Sequence, residues 1–213
     1  MNRPSPTPII ANASSGIVVC DTPEELGAIR DRACAAVLWW RQPASGFQRW
    51  IDGLDPALLP AARIILRPSD VRRAVTEICE IHKTPECPER TLLIDDIAAL
   101  AHVFAAVMKA QHLRMRLSPV SSNACRRFHI DALTARLICT YRGAGTQYGL
   151  SADTEAPSRV FTVPTGAPFV LRGTDWPERP ASGLLHRSPP IEGTGETRLV
   201  LVLDPIHDPQ EAI

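Results

Sequence analysis

Arg127-Phe128-His129-Ile130-Asp131 is the stretch from which a fold and a candidate metal site can both be predicted. If this segment is extended, the two-residue period of a strand places His129 and Asp131 on one face and Ile130 on the other. An imidazole and a carboxylate then project side by side, as two ligands of one metal ion would. His186, at the edge of a later apolar segment, is the candidate third ligand. Two histidines and one carboxylate leave open coordination positions opposite them, which is typical of non-haem Fe(II) oxygenases.

A cationic side chain follows these three candidates along the chain. Arg198 opens the strand-like run Arg198-Leu199-Val200-Leu201-Val202. A planar guanidinium can hold a carboxylate through two parallel hydrogen bonds, and apolar neighbours strengthen that contact by excluding water. Arg136 is a candidate second contact for an anion. Two alternatives stay open, because Arg198 can instead face solvent and Arg136 can instead form a salt bridge to an acidic residue.

The composition limits the classes of partner. The chain has 213 residues, 45% of them hydrophobic, and a formal net charge of zero. Without excess positive charge there is no electrostatic support for binding nucleic acid, and none is predicted. No membrane segment is predicted, because the longest apolar run, 97–108, is short and is interrupted by His102. The first residues lack the apolar core of a signal peptide, so a cytoplasmic location with six free thiols is predicted.

Helical spacing of apolar residues dominates the first half of the chain. It predicts three helices, at about 22–40, 69–84 and 92–112, and the first opens with a capping sequence. Residues 1–15 contain several prolines and show no periodicity, so they are predicted to be a disordered tail. No linker divides the remainder, and 16–213 is predicted to be a single domain.

The hydrophobic period changes after His112. Residues 113–117 alternate between apolar side chains and arginines, which is typical of a half-buried strand. Further short extended runs follow, separated by prolines and glycines, and this pattern favours a double-sheet barrel or jelly roll. The predicted fold class is therefore α+β. A double-stranded β-helix, or jelly roll, at 113–205 would be covered by a helical layer from 16–112.

A second group of metal-binding residue types lies in the helical half. Cys79, His82 and Cys87 have short spacings like those of zinc ligands. Structural zinc sites close with four ligands, and no fourth ligand follows at a suitable spacing. The sequence therefore does not favour a structural zinc site, and the role of this group stays open.

Two blocks of residues resemble a known family. Phe128-His129-Ile130-Asp131, followed by residues 136–146 (RLICTYRGAGT), resembles the bacterial family catalogued as domain of unknown function 1826, most specifically over 125–150. With residues 183–190 (GLLHRSPP) and 198–202 (RLVLV), the same block is similar to the superfamily of Fe(II)- and 2-oxoglutarate-dependent dioxygenases. The resemblance implies a double-stranded β-helix core with supporting helices.

The resemblance also implies roles for individual residues. His129, Asp131 and His186 would be the iron ligands at a catalytic centre. Arg198 would hold the distal carboxylate of the co-substrate 2-oxoglutarate, and Tyr141 would supply an aromatic hydroxyl to the same co-substrate. The family has no agreed substrate, so the resemblance leaves open whether a small molecule or a protein side chain is acted on.

Two other functions are compatible with the sequence. A non-catalytic metal- or small-ligand-binding protein, linked to zinc homeostasis, would hold zinc at His129, Asp131 and His186 without an oxo-acid pocket. The direction of the Arg198 side chain separates this alternative from the oxygenase. A cupin-type enzyme that needs no 2-oxoglutarate is less favoured, because it would require more histidine ligands than the chain offers. The oligomeric state is not predicted.

Overall fold

Three layers make up the described part of the chain. The structure is a computed structural model that describes residues 16–151, 156–177 and 183–207, so the predicted tail lies outside the described residues. A helical layer covers one face of a seven-stranded sheet, and a three-stranded sheet covers the other face. The helices are α1 (Ser45–Gly53), α2 (Val71–Ile81) and α3 (Pro88–Met108), with a short 3-10 helix at Glu24–Arg30.

The strands form two sheets that are almost entirely antiparallel. They are β1 (Ile17–Cys20), β2 (Ala36–Trp39), β3 (Ala62–Leu66), β4 (His112–Val120), β5 (Ala135–Arg142), β6 (Gln147–Leu150), β7 (Phe161–Thr162), β8 (Phe169–Arg172), β9 (Leu184–Arg187) and β10 (Arg198–Ile206). The large sheet has the order β1-β2-β8-β5-β10-β4-β3, in which only β1 and β2 are parallel neighbours. The small sheet has the order β7-β6-β9. The predicted α+β class and double-sheet core are confirmed.

The fold has two hydrophobic cores, one between the large sheet and the helices and one between the two sheets. Side chains that alternate along the central strands contribute to one core or the other. On β10, Leu199, Leu201 and Leu203 pack with the helices. Val200 and Val202, on the opposite face, pack towards the small sheet. Because successive side chains of a strand point to opposite faces, β10 serves both cores at once. The face between the two sheets is also the face on which the candidate site lies.

The predicted second and third helices are confirmed, with small changes at their ends. The apolar residues that recur at helical spacing on α2, Val71, Val75, Ile78 and Cys79, are all buried. The third helix begins earlier than predicted, with Pro88 in its first turn and the Cys87 side chain accepting a hydrogen bond from the Arg90 backbone N–H. Proline suits a first helical turn, because its missing N–H would lack an intrahelical acceptor there.

Helix α3 is the one described helix long and apolar enough, by length and composition, to cross a membrane. Half of its most apolar window is buried inside the fold. A helix in the core of a folded domain can also be this long and this apolar, because its apolar residues pack against a sheet.

The predicted first helix is wrong beyond residue 30. A 3-10 helix covers Glu24–Arg30, and the chain then enters strand β2. The run Ala35-Ala36-Val37-Leu38 is buried on both faces, between the helical layer and the small sheet. A fully buried strand has no polar face, so its apolar run can be mistaken for the buried part of a helix.

The division into a helical half and a β half is also incomplete. Strands β1, β2 and β3 come from residues predicted to be helical support, and they extend both edges of the large sheet. The extended segment predicted at 127–131 reduces to a single antiparallel bridge between His129 and His186. The jelly-roll core therefore uses strands from the whole described chain.

Candidate metal and co-substrate site

The loop between β4 and β5 brings the first two candidate ligands to the small sheet. The backbones of His129 and His186 exchange two hydrogen bonds, of 3.1 and 3.0 Å. Further along the loop, the Asp131 carbonyl accepts a hydrogen bond from the Thr174 backbone N–H at 2.9 Å. His186 itself lies on β9, opposite Tyr148 of β6. Backbone hydrogen bonds thus fix all three candidate ligands relative to the two sheets.

The three side chains converge on one point. The ligand atoms of His129, Asp131 and His186 all lie within 4.8 Å of one another. Nε2 of His129 is 3.5 Å from Oδ1 of Asp131, and Nε2 of His186 is 3.2 Å from Oδ2. The side chains of Asp131 and His186 are 12% and 5% exposed, whereas that of His129, at 33%, reaches the opening of the site. This is the only such group among the residues that the structure describes.

The protonation and hydrogen bonding of these side chains suit a metal ion. His129 Nδ1 lies 2.9 Å from the Arg127 carbonyl, so this nitrogen carries a proton and Nε2 is the ring atom that faces Asp131. Oδ2 of Asp131 is buried without an aligned hydrogen-bond donor, although His186 Nε2 is close to it. Nδ1 of His186 is also buried without a partner. Buried polar atoms normally have partners, and a cation bound between the three side chains would satisfy the unpaired carboxylate oxygen.

Arg136 forms an ion pair with Asp131 and links it to Asp204. Its Nη1 is 2.6 Å from Asp131 Oδ1, and its Nε and Nη2 bind the two oxygens of Asp204 at 2.6 and 2.8 Å. Burial alone would raise the pKa of Asp131, but the close approach and charge of His186, with the charges of Arg136 and His129, lower that pKa to about 2. The carboxylate is therefore held ionised, as a metal ligand must be.

Arg198 lines the same cavity as the two candidate histidine ligands. The cavity has a volume of about 180 Å³. The guanidinium donates to the Ala144 carbonyl at 2.6 Å and to the Thr140 hydroxyl at 3.3 Å, and the residue is only 2% exposed. Desolvation lowers the pKa of Arg198 to about 10, with the charge of Glu196 opposing the shift. Within the described ranges Arg198 forms no direct ion pair, because Glu196 acts on it only at longer range and its hydrogen-bond partners are neutral.

A tight turn after β5 sets the position of Arg198. Gly143 has a φ of +76°, and a Cβ at this position would lie 2.6 Å from Glu196 Oε1 and 3.1 Å from Arg198 Cγ. Oε1 of Glu196 also accepts a hydrogen bond from the Ala144 N–H at 2.5 Å. Because the turn lacks a side chain at 143, the aliphatic stem of Arg198 packs directly against its backbone.

The family model described as "Protein of unknown function (DUF1826)" matches residues 20–204. The chain belongs to the DUF1826 family. This confirms the resemblance seen in the sequence, whose most specific part, 125–150, lies within the matched range. No curated protein matches this DUF1826 chain.

Solved structures similar to this DUF1826 protein include several described as oxygenases. One is the dioxygenase for auxin oxidation 1 from Arabidopsis thaliana with 2-oxoglutarate (9% identity, 92% of this chain and 97% of that chain covered, TM-score 0.49). A second is the Kdo hydroxylase KdoO, described as a non-heme Fe(II) alphaketoglutarate dependent dioxygenase (13% identity, 89% of this chain and 88% of that chain covered, TM-score 0.44). A third is an oxidoreductase of the 2OG-Fe(II) oxygenase family from Burkholderia pseudomallei (13% identity, 89% of this chain and 97% of that chain covered, TM-score 0.41).

The structure places Tyr141 outside the metal site. On β5, Arg136 and Ile138 face the small sheet, so Tyr141, at the other parity, faces the helices. Its hydroxyl donates to Asp96 at 2.6 Å, and Asp96 also receives two hydrogen bonds from Arg41. The predicted contact of Tyr141 with the co-substrate is therefore corrected: its hydroxyl stabilises the contact between the sheet and α3.

Arg136 takes the alternative that the sequence left open. Its hydrogen-bonding face is occupied by Asp131 and Asp204, so the structure places it as an ion-pair partner and not as a free contact for an anion. Asp204 was missed in the sequence, although a signal was present. It lies on the same face of β10 as Arg198, Val200 and Val202, where a carboxylate needs a buried partner.

The cysteine and histidine group of the helical half does not converge in the described ranges. His82 Nε2 lies 3.1 Å from the Ala61 carbonyl, and Cys87 serves as the N-terminal cap of α3. Cys79 is fully buried in the core, and burial raises the pKa of its thiol, which disfavours the thiolate that a metal requires. These residues have structural roles.

Proposed function

We propose that this DUF1826 protein is a non-haem Fe(II)- and 2-oxoglutarate-dependent oxygenase. The observation that carries the proposal is the buried guanidinium of Arg198, without a carboxylate partner, in the same cavity as the candidate metal ligands His129 and His186. A carboxylate of the co-substrate would supply the missing counter-ion. Two histidines and one carboxylate form the ligand set that suits Fe(II) with open coordination positions.

Each residue of the site has a defined task in this proposal. His129, Asp131 and His186 would hold the iron on one side, and the unpaired Oδ2 of Asp131 fits that task. Arg198 would bind the distal carboxylate of 2-oxoglutarate and so fix the orientation of its oxo-acid end towards the metal. When bound, iron and the oxo acid together supply the activation of O₂, with release of succinate and CO₂.

The apolar residues of the inner face would keep water out of the centre. Val200, Val202 and Ile138 line the cavity beside the charged groups. A low-dielectric surrounding strengthens the contact between Arg198 and a carboxylate and shields a reactive centre from solvent. The zinc-binding alternative gives this arrangement no purpose, since it would leave the Arg198 cation buried beside an empty oxo-acid pocket.

Calorimetric titration of 2-oxoglutarate into Mn(II)-loaded protein tests the proposal without requiring the unknown substrate. Binding with 1:1 stoichiometry is expected, together with release of succinate when Fe(II) and O₂ replace Mn(II). His186→Ala should abolish both, and Arg198→Met should weaken the binding of 2-oxoglutarate by about 100-fold while the metal stays bound. Absence of binding to the loaded wild-type protein, or equal binding by Arg198→Met, would contradict the proposal.

A further inference from the structure

Arginines outnumber acids around the candidate site. Four arginines and no aspartate or glutamate line its cavity among the described residues: Arg116, Arg136, Arg187 and Arg198. Arg136 is neutralised by two carboxylates, and Arg198 is enclosed beside the turn at Ala144. Arg187 donates to Gln147 and lies over the Phe128 ring. Arg116 differs from these three, because it is exposed and has no ion-pair partner in the described ranges.

Arg116 stands in a row of side chains that crosses the inner face of the large sheet. The strand pairings align Arg63, Arg116, Val202, Ile138 and Phe169 on β3, β4, β10, β5 and β8. Directly paired residues project to the same face, so Ile138, Val202 and Arg116 all line the cavity and Arg63 continues the row to the edge strand. The row therefore runs from the interior of the site to solvent.

The next row places Arg116 close to the metal ligands. Along β10, Asp204 is two residues from Val202, and Asp204 binds Arg136, which binds Asp131. Two residues along a strand span roughly 7 Å. Arg116 therefore lies about one row from the ion-pair network that holds a candidate ligand, on the side of that network towards Arg198.

Arg63 and Arg116 are directly opposed across β3 and β4, and both are exposed. Like charges in this position repel and destabilise a sheet, and neither arginine has an ion-pair partner in the described ranges. Ser118, two residues from Arg116 on the same face, also lines the cavity and adds a hydroxyl donor. The guanidinium of Arg116 and the hydroxyl of Ser118 in the cavity lining, with the Arg63 guanidinium directly opposite Arg116, form a receptor for a carboxylate or phosphate.

We infer that the substrate of this site is an organic anion whose carboxylate or phosphate is bound by Arg116 and Arg63. This inference rests on the proposed function for the metal and co-substrate. Arg198 takes the co-substrate on β10, and the arginine pair takes the substrate at the β3–β4 edge of the sheet. The anionic group anchors the substrate at the rim, and the part of the molecule next to it lies over Val202, towards the metal.

Ligand-observed NMR tests the anion site directly. The probes are benzoate against benzamide, and phenyl phosphate against phenol, added to Mn(II)-loaded protein with and without 2-oxoglutarate. Paramagnetic broadening of the probe protons by Mn(II) reports both binding and proximity to the metal. Benzoate, phenyl phosphate or both should be broadened and their neutral partners should not, and which acid binds more tightly identifies the anion.

Matched variants assign the binding to the arginine pair. Arg116→Gln should weaken the binding of the acid by roughly tenfold or more, and Arg63→Gln by a smaller factor, because hydrogen bonds to a charged group are lost. Arg49→Gln is the control, since it removes one exposed arginine from α1, on the opposite side of the sheet. The affinity for 2-oxoglutarate should be unchanged in all three variants.

Equal broadening by neutral and acidic probes, no broadening by either acid, or an unchanged affinity in Arg116→Gln would overturn this inference. The outcome is separable from that of the proposed function. If 2-oxoglutarate fails to bind while the acids bind and depend on Arg116, the co-substrate assignment is wrong and the anion site stands. If 2-oxoglutarate binds and the acids do not, the inferred anion site is wrong and the co-substrate assignment stands.

Discussion

Replacement of Arg136 by methionine is the perturbation whose effect is most fully determined by the structure. Arg136 forms ion pairs with Asp131 and Asp204, and the three side chains are only 16%, 12% and 8% exposed. Arg136→Met would leave two carboxylates in the interior without their cation. Breaking a buried ion pair by removing one partner costs about 3–5 kcal/mol, since the remaining charge is desolvated and unpaired.

Urea unfolding of the metal-free protein, followed by circular dichroism at pH 7.5, measures that cost. With a denaturant slope of about 2 kcal/mol per molar, the midpoint should fall by roughly 1.5–2.5 M. Arg136→Met/Asp204→Asn should recover part of the loss, because one of the two unpaired charges is gone. Arg49→Met, on an exposed helix surface, should change the free energy of unfolding by less than about 0.5 kcal/mol.

The pH dependence adds an independent check. In the wild-type protein the pKa of Asp131, about 2 when folded, lies below its unfolded value, so this group stabilises the fold above the unfolded pKa and the effect is lost as the pH falls from about 5 to 2. In Arg136→Met the folded pKa of Asp131 rises, because the charge of Arg136 no longer lowers it. The deficit of the variant should therefore shrink as the pH falls below about 5. A loss under about 1 kcal/mol at pH 7.5, or a deficit independent of pH, would refute this account of the network.

Three further variants separate the roles of individual side chains. Arg198→Met should weaken 2-oxoglutarate binding by about 100-fold and abolish the rise in Tm that 2-oxoglutarate gives the wild-type protein, as scanning calorimetry would show. Tyr141→Phe should lower the free energy of unfolding by about 1–2 kcal/mol through the lost bond to Asp96, with an unchanged affinity for 2-oxoglutarate by titration calorimetry. Gly143→Ala should weaken 2-oxoglutarate binding, because a Cβ at this position would crowd Arg198. Gly193→Ala is the control: Gly193 has a similar φ of +80°, but no atom lies within 4 Å of a Cβ there, so 2-oxoglutarate binding should be unchanged. Equal effects of the two substitutions on this binding would exclude crowding as the cause.

The sequence predicts the ligand set because the relevant signals are local or ordered along the chain. The parity of His129 and Asp131 places both on one side of the chain, and the order of His186 and Arg198 after them adds the remaining candidates. Helices α2 and α3 are predicted by periodicity, because each has one buried and one exposed face. Where an element is buried on both faces, as β2 is, periodicity carries no information and the prediction fails.

The errors in the site have different physical origins. The predicted contact of Tyr141 with the co-substrate could have been excluded from the sequence. Tyr141 and Arg136 are an odd number of residues apart on one strand, so their side chains point to opposite faces of the sheet. The ion pair of Arg136 with Asp204 could not be predicted, because it depends on the register between β5 and β10, 68 residues apart in sequence. Likewise, the alignment of Arg63 with Arg116 follows from the pairing of β3 with β4, and β3 was not predicted at all.

The most direct test of the central claim is an anaerobic titration of Fe(II) and 2-oxoglutarate into the purified protein, followed by visible absorption. If His129, Asp131 and His186 hold iron with room for a bidentate oxo acid, a metal-to-ligand charge-transfer band should grow to 1:1:1 stoichiometry. The band should be absent in Asp131→Ala and retained in Tyr141→Phe. A wild-type protein that gives no band at saturating Fe(II) and 2-oxoglutarate, or a band that survives in Asp131→Ala, would contradict the account.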